Sequence, residues 1–134
     1  MSLSAPAQAS LDRWHAAVAA RDIAAVAPIV APNAVFRSPM AHAPYPGREQ
    51  VVLILSLVMT VFEDFCYERE FVAGAHSVGL EFSARIGDKQ LKGIDLIRFD
   101  EDGMITEVEV MVRPASALMA LGEIMGRKLA AARA

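Results

Sequence analysis

Asp95 is the residue whose type and setting most suggest chemistry. Alternate residues of the stretch around it are Leu91, Gly93, Asp95, Ile97 and Phe99, while Lys92, Ile94, Leu96 and Arg98 form the other set. Side chains alternate faces along a strand, so this carboxylate shares a face with Leu, Ile and Phe. An ionised, unpartnered carboxylate on an apolar face costs several kcal/mol, so Asp95 is expected to be neutral, partnered or functional. It is the first candidate for general acid/base catalysis. His15 and His42 are the candidate second proton carriers: His15 adjoins Trp14 on a helix, and His42 lies in the loop Pro39–Gly47. Each also has a plainer reading, His15 as a half-exposed structural residue and His42 as a solvated one. Trp14, Ser38, Tyr67, Phe82, Ile97 and Val110 are the candidate ligand-lining residues. The parity of Tyr67 is ambiguous, because Phe65 and Phe71 share its face but so does Arg69.

Other chemistries lack their residues. His15, His42 and His76 show no metal-ligand spacing and there is one cysteine, Cys66, so no metal framework or disulfide scaffold is expected. No glycine-rich phosphate loop, Walker lysine or serine nucleophile elbow is present. Any catalysis would be cofactor-free. The formal charge of −3, with mixed signs, gives no basic footprint for nucleic acid. Residues 1–9 carry neither a positive nor an apolar segment and are expected to be a disordered start rather than a signal peptide. The apolar run 51–62 is too short to cross a bilayer. A reducing, cytoplasmic setting without membrane contact is the expectation.

The elements that would position these residues follow from periodicity. Ser10 is expected to cap a helix over 11–21, with Leu11, Trp14 and Val18 on its buried face. Asp22 can cap a second helix, shortened or kinked by Pro28. A brief strand is expected at 34–38, a loop at 39–47 and a third helix over 48–62. Alternating stretches at 64–73, 76–86, 91–99 and from 104 onward predict four hairpin-linked strands, with turn chemistry at Gly74 and Gly103. A closing helix spans 115–132, so 10–134 reads as a single domain. Helices early and strands late argue an α+β fold with an antiparallel sheet. Leu80, Phe82, Ala84, Ile86, Val108, Val110 and Val112 face the helices. Glu81, Arg85, Glu107, Glu109 and Arg113 share the other face with Ile94, Leu96 and Met111, a mixture that suits a homodimer interface better than bulk water. An apolar fraction of 54% and a mean hydropathy of +0.34 agree with an apolar cavity or a covered face.

The segments ARDIAAV, APNAVFRSP, YPGREQV and GIDLIRFDEDGMITEV, in that order and spacing, resemble the NTF2-like (SnoaL-like) superfamily, which includes ketosteroid isomerases, scytalone dehydratase and polyketide cyclases. The resemblance covers about residues 10–114. It implies a curved sheet wrapped around helices to enclose a conical pocket, usually in a dimer. Compared with ketosteroid isomerase, the general-base aspartate falls on Ser38, the phenolic oxyanion donor on Trp14, and the protonated aspartic acid on Asp95. A serine hydroxyl does not ionise near neutral pH, so this pattern is not that of a standard steroid isomerase. The polyketide-cyclase branch is similar around the same Gly-x-Asp strand, where an Asp acts as general acid/base. Three readings stay open. One is a binder of an apolar molecule with its polar end on Asp95. Another is an isomerase, dehydratase or cyclase using Asp95. The third is a pocket filled by its own Met and Leu side chains.

Overall fold

A computed structural model describes residues 2–134. Helix α1 (Ala5–Ala19) is followed by a 3-10 segment, Ile23–Ile29, and strands β1 (Val30–Arg37) and β2 (Tyr45–Pro46). Helix α2 (Arg48–Met59) leads into β3 (Glu63–Val72), β4 (Ser77–Ile86), β5 (Lys89–Phe99) and β6 (Ile105–Arg113), and α3 (Ala115–Ala132) closes the chain. The six strands form one curved, unclosed sheet in the order β2-β1-β6-β5-β4-β3. The fold is α+β, with one correction to its sheet. It is mixed rather than antiparallel throughout, because β1 runs parallel to β6. Among the described residues no helix is long and apolar enough to cross a membrane.

The start of α1 also differs from expectation. Residues 5–9 are its first turns, not a disordered lead, and Ser4 is the cap, its hydroxyl accepting from Ala7 N–H at 3.3 Å. Alanines and a proline in the first turn favour helix there. Ser10, the expected cap, lies inside the helix and is buried, and its hydroxyl donates to the Gly103 carbonyl at 2.6 Å. That bond docks α1 on the β5–β6 turn. Gly103 sits at φ +81°, and a Cβ there would lie 2.5 Å from the Pro6 carbonyl carbon. Gly103→Ala therefore costs ~2 kcal/mol or more in urea unfolding. A loss below about half that would mean α1 does not depend on this close approach.

Pro28 leaves its segment as a 3-10 turn, the shortened form anticipated. β1 starts earlier than its apolar residues suggested and absorbs Pro32 where its register against β6 shifts, the kind of irregularity where a missing N–H is tolerated. One face of the sheet packs on α1 and α2 through Leu80, Phe82, Ala84, Leu91, Ile97, Phe99, Val108 and Val110, all buried with Leu11 and Trp14. The opposite face pairs Arg69 with Glu81 and Lys92 with Glu68, and leaves Phe71 and Met111 exposed.

Candidate functional site

The sheet's concave face, α1, α2 and α3 enclose an apolar cavity of about 80 Å³. Trp14, Phe36, Leu55, Phe62, Phe65 and Val110 are among its walls, and α3 closes it with Leu121, Gly122, Met125 and Leu129. Asp95 is the one carboxylate among the described lining residues. The pairing of β5 with β4 runs without a break from Ser77↔Arg98 to Ile86↔Lys89, so the two-residue period holds and carries Asp95 inward between Gly93 and Ile97.

Three side chains there form a chain of hydrogen bonds. The Trp14 indole N–H donates to the Tyr67 hydroxyl at 2.9 Å, and that hydroxyl donates to Asp95 Oδ2 at 2.7 Å. No buried side-chain oxygen or nitrogen among the described residues lacks a partner. Among the described residues nothing donates a hydrogen bond to Asp95 Oδ1, so it is the atom that faces the hollow. Burial raises the Asp95 pKa to about 7, against the smaller, lowering effect of the Tyr67 hydrogen bond. Burial, and then the neighbouring Asp95 charge, push the Tyr67 phenol well above its ordinary value. Tyr67 is thus a fixed donor and Asp95 the group that gains and loses a proton near neutrality.

Tyr67 could not be placed from parity because β3 is bulged. Its register against β4 shifts between Tyr67↔Phe82 and Glu70↔Leu80, so an extra residue intervenes. Tyr67 and Phe65 therefore line the cavity, while Arg69 emerges on the outer face and grips Glu81 with two bonds of 2.6 and 2.8 Å.

The remaining candidates fall in different places. Trp14, Ser38 and Val110 line the cavity with Tyr67 and Asp95. Phe82 and Ile97 do not line it; each is 1% exposed, in the core behind the wall. Ser38 sits at the loop end, where its hydroxyl accepts from Met40 N–H at 2.9 Å. His42 is exposed and lies outside the cavity, in a shallow polar groove with Arg37 and Glu109. His15 also lies outside it. Its Nε2 is 3.1 Å from Glu70 Oε1, and its ring meets the Tyr67 ring edge-on at 5.3 Å. Sequence reasoning missed Met40, Gly122 and Met125, which reach the site only through tertiary folding. A stripe of Leu121, Met125 and Leu129 on α3 was the signal that could have found the last of them. No group of His, Cys, Asp or Glu among the described residues is arranged to hold a metal.

Residues 11–108 match the model of the SnoaL-like domain. The chain belongs to the SnoaL-like family. Among solved structures it is similar to a steroid delta-isomerase from Pseudomonas aeruginosa, with 56% identity over 96% of this chain and 95% of that one and a TM-score of 0.94. An uncharacterised Silicibacter pomeroyi protein with a cystatin-like fold shares 30% identity over 89% of this chain and 84% of that one, at a TM-score of 0.83. An NTF2-like protein of unknown function from Mesorhizobium loti, 22% identical over 85% of this chain and all (100%) of that one at a TM-score of 0.71, shares the fold. Comparison with curated proteins gives no match. Within the SnoaL-like family, the fold supports a pocket protein or an isomerase-like enzyme.

Proposed function

We propose that this SnoaL-like protein binds a small apolar molecule and anchors its polar end on Asp95. The observation that carries this reading is the Asp95 carboxyl group, with Oδ2 held by Tyr67 and Oδ1 open to an apolar hollow. Below about pH 7 the protonated acid can donate to a ligand carbonyl while Oδ2 keeps its bond from Tyr67. Above that pH the carboxylate prefers a donor such as a hydroxyl.

A second reading, cofactor-free isomerisation, is favoured by the 56% identity to the Pseudomonas aeruginosa steroid delta-isomerase. Asp95 as carboxylate would take a proton from the carbon next to a carbonyl and return it further along the conjugated enolate, moving the double bond with no net oxidation. The walls supply few partners for that step. Tyr67 spends its proton on Asp95 and Trp14 spends its own on Tyr67, and the Ser38 hydroxyl is no base. If Asp95 is the base, a donor to the enolate oxygen is wanting; if it is the donor, a base is. That single proton carrier ranks binding first.

The outer sheet face, with exposed Phe71 and Met111 beside Ile94 and Leu96, supports a homodimer. Native mass spectrometry of freshly purified protein tests both parts. A dimer retaining a small apolar molecule is expected, and a bare monomer that takes up none of a set of apolar ketones would overturn them.

A further inference from the structure

Met40 and Gly122 come from opposite ends of the chain and meet at the rim of the cavity. Met40 follows β1 in the loop, and its backbone is fixed by the bond from its N–H to Ser38 Oγ. Its side chain lies flat against α3. A Cβ built at Gly122 would be 2.6 Å from Met40 Cε, 2.9 Å from Sδ and 3.1 Å from Cγ. Any larger residue at 122 would push the end of that side chain aside. Met40 is nevertheless 46% exposed, so one side faces solvent while the other walls the cavity. It also lines, with Ser38 and Pro39, the polar groove of Arg37, His42 and Glu109. The thioether is thus a thin partition between an apolar interior and a polar exterior.

The other described residues of the cavity wall are buried or half-buried, and Met40 alone among them is exposed. It is also unbranched, with three rotatable side-chain bonds. We infer that the Met40 side chain is the door of the cavity, closed by lying on Gly122, and that apolar ligands enter from the Arg37–His42–Glu109 groove when it swings away. The inference rests on the ligand-binding reading above and adds the route and the two residues that control it. Glycine at 122 sets how tightly the door shuts, and a side chain there holds it ajar.

The test is stopped-flow binding of 8-anilinonaphthalene-1-sulfonate, read by quenching of Trp14, the one tryptophan, which lines the cavity. In Gly122→Ala and Met40→Ala, association and dissociation rates rise together by roughly three- to tenfold and Kd changes little, as for a lowered gate. A side chain that only packs against the ligand would change dissociation and Kd and leave association alone. Unchanged association in both variants, with wild-type affinity intact, overturns the door and leaves the binding reading standing. Failure of the probe to quench wild-type Trp14 overturns both. Met40→Ala carries no steric insertion into α3, so it remains informative if Gly122→Ala unfolds.

Discussion

Asp95→Asn is expected to make the protein more stable than wild type above about pH 7, with the advantage vanishing in acid. The carboxyl of Asp95 titrates at 3.8 when free and at about 7 in the folded chain. Between those values the folded state holds a proton that the unfolded state has released. Wild-type stability therefore falls as pH rises through this window and levels off above it. The carboxyl's full cost at high pH is about 4 kcal/mol. Asn keeps the shape, can turn its oxygen to accept from Tyr67, and has no charge to desolvate. Comparing urea midpoints of the two proteins across the pH series cancels the other titrating groups. Curves that stay parallel from acid to alkali would mean that Asp95 ionises as freely as a surface carboxylate. On the isomerase reading the same substitution also lowers turnover of a β,γ-unsaturated ketone by about 10²–10⁴ while binding persists.

The reason Asp95 could be placed from sequence, and Tyr67 could not, lies in the sheet. β5 is interior, paired on both sides, and unbroken against β4, so a count by twos is reliable there. β3 is an edge strand with two register shifts, where a single inserted residue reverses the count. The same holds at β1, where apolar patterning identified only the second half of a strand whose register against β6 shifts between Val30 and Val35. Helix α1 began earlier than its capping pattern suggested because Ser4, with Pro6 behind it, is an equally good start, and Ser10 is bound to a turn that lies far along the chain. That Asp95 needs a partner was legible from its apolar face, but the phenol that serves as one depends on the β3 bulge. Contacts such as Met40 on Gly122 leave no local trace at all. Local periodicity thus located the acid, and tertiary contacts decided what holds it and what closes over it.

That dependence makes Tyr67→Phe the more severe of the two substitutions. Phe fills nearly the same space, so the cost arises from hydrogen bonds and not from a cavity. Removing the hydroxyl strands the Trp14 indole N–H and Asp95 Oδ2 together, in a region where unpaired groups cost ~1–3 kcal/mol each. A total near 2–4 kcal/mol is expected at neutral pH, more where Asp95 is charged. The missing bond is also the one that lowers the Asp95 pKa, so in Tyr67→Phe the carboxyl titrates above about 7. By the sign already worked out, stability then goes on falling with pH past the point where wild type has levelled off. Trp14 reports this directly, since its N–H is linked to Asp95 through the lost hydroxyl. Wild-type fluorescence should inflect near pH 7, Asp95→Asn should abolish the inflection, and Tyr67→Phe should move it upward or uncouple the indole from it. Placing both changes in one protein closes a thermodynamic cycle, and a coupling of about 0.5–3 kcal/mol is expected for groups in one network. Additive losses, with an Asp95 titration seen by NMR at the wild-type pH in Tyr67→Phe, would separate the phenol from the acid.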